Sequence, residues 1–140
     1  MIEPGLALQA AVGNALATAP GVAAHVAPER IRAGMIRPEH MPAILLGAGN
    51  VEVLGRASGG KIVAEVRMML HLWAVDDGSD VAQEVAGAML MALMDAPPGD
   101  GFWFDGWDRP ALAWIPDPDP AQSHSHAAIS LRAVIRWRAD

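Results

Sequence analysis

The sequence contains no cysteine. That excludes a disulfide framework, a thiolate nucleophile and a thiolate metal site, and it fits a reducing cytoplasm. Basic charge is scarce as well, with 10 Lys and Arg against 16 Asp and Glu and a net charge of -6. A nucleic-acid binder that works by phosphate neutralisation would need a clustered basic surface, so that class is not expected. No apolar run approaches the ~20 residues of a spanning helix. The start, Met1-Ile2-Glu3-Pro4, lacks the basic stretch that opens a secretory signal. Membrane insertion is therefore not expected. Internal repeats and long linkers are missing too, and 140 residues suit one domain, which can bury roughly 70% of the surface its unfolded chain exposes. Finally, the chain has no G-x-S-x-G, P-loop, dinucleotide fingerprint or paired-His helix, and Gly47-Ala48-Gly49 reads as a turn. The expectation is a protein that is not an enzyme and holds no cofactor or metal.

What is present begins with an amphipathic helix. Pro4 suits a first turn, Leu8, Val12, Ala15 and Leu16 recur at helical spacing, and Ala19-Pro20-Gly21 stops the pattern, so we place the helix at residues 4–18. Prolines at 28, 38 and 42 leave room only for a short strand within residues 30–36. Short apolar runs at 43–46 and 51–54 flank the glycine turn, and Ala57-Ser58-Gly59-Gly60 leads into a long strand. In that strand Ile62, Ala64, Val66, Met68, Leu70 and Leu72 share the core face, while Val63, Glu65, Arg67, Met69, His71 and Trp73 share a mixed one. Ser79 is the expected N-cap of a second helix running to about Met94. An aromatic loop over residues 102–107, a strand at 111–115 and a strictly alternating last strand follow. The last strand turns Ile129, Leu131, Ala133, Ile135 and Trp137 one way and Ser130, Arg132, Val134, Arg136 and Arg138 the other. The pattern predicts an α+β domain with a mainly antiparallel sheet, two packed helices and the order α-β-β-β-α-β-β.

His124-Ser125-His126 is the one pattern able to suggest a metal, with Asp117 and Asp119 nearby as oxygen ligands. A polar turn entering a strand explains it more simply. His71 reads as a hydrogen-bonded structural histidine, and Asp76 and Asp77 as acids that favour a helix N-terminus. A metal-dependent hydrolase built on these groups is the rival of another class. A ligand-binding module with Trp103, Trp107 and Trp114 around an apolar pocket is a third possibility.

Two features concern surfaces instead. Residues 85–94 carry no charge and no side-chain hydrogen-bonding group, so a lone sheet would leave Met, Leu or Val in water. Each forgoes roughly 1.5 to 3 kcal/mol of burial, against a domain stability of about 5 to 15 kcal/mol. A helix apolar nearly all round therefore points to a subunit that assembles. Arg132, Arg136 and Arg138 form a basic row that suits either a solvated face or acids of a neighbouring subunit. Trp73, Val85, Met89, Leu90, Met91, Arg132, Arg136 and Arg138 are the expected interface residues.

The order of segments resembles the tail terminator, or tail-completion, proteins of long-tailed phages and gene transfer agents. The resemblance rests on MPAILLGAGNVEVLG, on EVRMMLHLWAVDDGSDVAQEVAGAMLMALMDA and on RPALAWIPDPDPAQSHSHAAISLRAVIRWRAD. It implies a homo-oligomer, a hexameric ring that caps the tail tube protein, ends its polymerisation and offers the head-connector (stopper) protein a docking surface, while DNA passes through the lumen without specific binding. It implies a location at the neck end of a virion tail assembled in a bacterial host's cytoplasm. The strands within residues 51–73 would line or face the tube, and residues 81–94 would serve subunit packing. Another head-tail joining or minor tail component is the nearest alternative. The aromatic stretch at 102–107 and the proline-spaced turn at 116–120 depart from the family pattern.

Overall fold

Period-two alternation is longest in two segments, and those two strands organise the computed structural model, which describes residues 2–116 and 123–139. Helix α1 (Pro4–Thr18) is followed by a short α2 (Pro20–Ala23) and a 3-10 turn (Pro28–Arg30). Then come β1 (Ile31–Ala33), β2 (Ala43–Leu46), β3 (Asn50–Ala57), β4 (Lys61–Val75), helix α3 (Val81–Ala92), β5 (Phe102–Trp107), β6 (Ala111–Ile115) and β7 (His124–Arg138). β4 and β7 pair antiparallel along their whole length, from Lys61 opposite Arg138 to Val75 opposite His124. Each long strand has two short partners set end to end on its outer flank. β2 and β3 lie against β4, β6 and β5 lie against β7, and β1 adds to β2 as the one parallel pair. The result is an open, mainly antiparallel seven-stranded sheet with helices packed on it, the α+β class the pattern predicts.

α1 starts and stops where its residues require. The Glu3 carboxylate accepts from the Gly5 and Leu6 N–H groups at 3.0 and 2.7 Å, and Pro4 occupies the first turn, where no N–H is needed. Leu8, Val12 and Leu16 then pack on the sheet face formed by Val66, Met68, Leu70 and Leu72 of β4 and by Ile129, Leu131, Ala133, Ile135 and Trp137 of β7. The N-terminus of α1 approaches the turn between β2 and β3 so closely that a Cβ on Gly49 would lie 2.8 Å from Val66 and 3.0 Å from the Gly5 backbone.

α1 ends at Thr18, where Ala19-Pro20-Gly21 was expected to stop it, and because proline is acceptable at the first position of a new helix the short α2 begins at Pro20. Two expectations need correction. Asp80 rather than Ser79 caps α3, and its side chain makes no capping hydrogen bond; the Ser79 N–H instead donates to Asp77 Oδ1 at 3.0 Å. Residues 102–107 are a strand, not a loop. Its pairing with β7 shifts register between Phe104 and Gly106, which breaks the alternation that would have revealed it. Phe102 and Phe104 meet edge to face at 5.2 Å, Phe104 and Trp107 at 5.3 Å, and Trp107 Nε1 donates to the Leu93 carbonyl at 2.9 Å. The aromatic strand thereby covers the C-terminal end of α3.

Candidate assembly surface

α3 buries one face and shows the other. Ala82, Val85, Ala86 and Met89 are buried, with Leu93 just beyond, whereas Gln83, Glu84 and Gly87 are exposed and Met91 is 70% exposed. Of the apolar residues expected at an interface, Val85 and Met89 are thus core residues of their own chain, closed off by the sheet and α1. Leu90 is half-buried and Met91 is free to meet a partner. The helix is less apolar all round in space than in sequence, since Gln83, Glu84 and Gly87 share its outward side with Met91 while Ala82 and Ala86 are buried.

The larger apolar surplus lies on the β3–β4 hairpin. β3 is exposed over nearly its whole length, with Val53 at 65% and Leu54 at 53%. Among the described residues it pairs only with β4, which leaves its outer edge of N–H and C=O groups without a strand there. A long apolar edge is a template for association unless something covers it. Charge does little to protect it. Glu52 and Arg56 are its charged residues, and Met35 and Ile36, after β1, are exposed too.

The sheet face without helices is polar. Arg67 and Arg132 stand directly opposite each other, an arrangement that would repel. Glu65 resolves it by accepting from Arg67 Nε and, at 2.9 Å, from Arg132 Nη2, while Arg132 Nη1 reaches Asp108 at 3.2 Å. The two guanidinium groups, Arg132 first, hold the Glu65 carboxyl below its ordinary value of 4.5, and Glu65 in turn raises Arg132. Arg136 bonds Asp105 at 3.1 Å and, with Lys61, flanks the Trp103 ring. Arg132 and Arg136 are therefore paired with acids of their own chain rather than waiting for those of a neighbour. Arg138 is exposed at the strand end.

At the other end of that face Trp73 stacks on His126 at 3.9 Å, and Arg37 lies 5.0 Å over the Trp73 ring. His71 Nδ1 and His126 Nε2 are 2.9 Å apart, and Arg37 Nη2 approaches His124 Nδ1 at 2.6 Å. Burial pushes the His71 imidazole below its ordinary value of 6.5. Trp73 is held inside this stack and offers a partner only part of its ring. Asp117 and Asp119, the oxygen ligands considered with the histidines, lie outside the described residues. Among the described residues no three His, Cys, Asp or Glu side chains converge as a metal site. The three tryptophans do not share a pocket. Trp103 faces the polar side opposite Arg136, whereas Trp107 and Trp114 align with the core residues Ala133 and Ala127.

The family model described as tail completion protein gp17 matches residues 10–136. The chain belongs to that family. A tail completion protein is a structural component of a phage-like tail. The fold is also similar to that of a chain in the virion of a native gene transfer agent particle. The two are 20% identical, with a TM-score of 0.68, over 93% of this chain and 95% of that one. No curated protein matches the sequence. No helix among the described residues is long and apolar enough to cross a membrane.

Proposed function

We propose that six copies of this chain form a ring on the last ring of the tail tube, end tube polymerisation and offer the head connector its docking surface at the neck end of the virion tail. DNA passes through the lumen without specific binding, and the role is structural, with no catalysis and no cofactor. Assembly takes place in the cytoplasm of the bacterial host. The gene transfer agent likeness and the family support a place in such a tail. The observation that carries the reading is the uncovered β3 edge with Val53 and Leu54 in water. In this reading the hairpin faces the tube, where another sheet or chain covers the edge, and α3 serves contacts between copies.

The test pairs the chain with its tube protein and follows mass by light scattering. The wild type should join the tube protein as a closed multimer. Val53→Lys, an exposed change expected to alter stability by no more than about 0.5 kcal/mol, should keep its melting curve and lose tube binding. Unchanged binding by that variant would remove the hairpin from the interface.

A further inference from the structure

A groove crosses the middle of the helix-free sheet face. It exists because both flanks break at one level. β2 gives way to β3 beside Met69 and Arg67, and β5 gives way to β6 beside Arg132 and Ser130. A Cβ on Gly47 would come within 2.8 Å of the Met69 carbonyl, so a glycine keeps that break close to β4. The cavity measures about 610 Å³. Met35 and Met69 supply apolar lining, and Arg67, Arg109 and Arg132 outnumber the lining acid Asp108. Arg67 and Arg132 share Glu65, whereas Arg109 makes no ion pair among the described residues.

The C-terminal end of α3 has the opposite character. Met91 projects, Met94 is partly exposed, and the exposed Asp95 follows, with no basic residue in the last turn. Asp95 has no ion pair among the described residues either. We propose that this helix end docks in the groove of a second copy, Met91 filling the space between Met35 and Met69 and Asp95 meeting Arg109. Three other exposed apolar groups fit the groove less well. Trp103 comes with Lys61 and Arg136, and Leu54 with Arg56, so each would bring positive charge to an arginine-lined site. Leu6 comes with Glu3, whose carboxylate is engaged in capping α1. Knob and groove are different patches of one chain, so the contact is heterologous and repeats from copy to copy until a ring closes. The proposal rests on the ring reading and names its subunit contact.

The absence of cysteine permits a clean test. Met91→Cys and Met69→Cys are prepared singly, mixed and oxidised, and the same is done with one chain carrying both. Both side chains are exposed, so melting curves should match the wild type and report any failure to fold. A disulfide dimer is expected only in the mixture, and the doubly substituted chain should give a covalent ladder that stops at the ring number. Asp95→Arg or Arg109→Asp should each cut the mixed product several-fold, and the two together should restore it. Absence of the mixed product, or pairing of Met91→Cys with itself, would overturn the contact. A ring seen by light scattering without the mixed disulfide keeps the ring and removes this contact; the mixed disulfide in open filaments keeps the contact and removes the ring.

Discussion

At the scale of single residues, the helix-free face is governed by how few acids manage several cations. Glu65 sits between Arg67 and Arg132, and the folded protein holds its proton more weakly than the unfolded chain does. Such a group contributes stability above the unfolded value near 4.5, and that contribution is lost as pH falls below it. Glu65→Gln should therefore lower the melting temperature at neutral pH and flatten the loss of stability on the acid side of 4.5; parallel acid limbs for the two proteins would refute this. His71 behaves alike in sign at a higher pH. Its folded value is depressed by burial, so stability is complete above 6.5 and declines as pH falls below it. His71→Gln should remove that mid-pH decline in thermal unfolding, while a decline of the same size in the variant would assign it to another group.

At the scale of elements, α3 separates burial from apolar composition. Met89 is fully buried against the sheet, and its replacement by Ala should cost about 2 to 5 kcal/mol. Met91, two residues on, is exposed, and its replacement should change stability by at most about 0.5 kcal/mol. Chemical denaturation distinguishes them, and equal losses would contradict the placement of the helix. The same pair shows what a sequence can reveal. Helix α1, the long strands and their two faces were legible because caps and period-two alternation are local. The outward side of α3 was not, since whether Met89 or Met91 meets the sheet depends on the angle at which the helix docks. β5 escaped because its bulge interrupts the alternation after Phe104. The surplus apolar surface was expected on α3, yet β3 also exposes Val51, Val53 and Leu54, because how the helices lie on the sheet is a tertiary property. Likewise, Arg132 and Arg136 could not be assigned to their own chain's acids before Asp105 and Asp108 were brought beside them by β5.

At the scale of the molecule, one sheet carries helices on one side and leaves an arginine-lined groove on the other, with an apolar hairpin beyond both. Among the described residues no three His, Cys, Asp or Glu side chains converge on these surfaces. The family places the chain in a phage-like tail, and the proposed ring explains why a small acidic domain leaves so much of a strand exposed. The most direct test is electron microscopy of tail tubes grown from the tube protein with and without this chain. Tubes of limited length, each closed at one end by a six-fold ring of the added protein, are expected; tubes that lengthen equally in both samples, with none of the chain at their ends, would contradict the proposal.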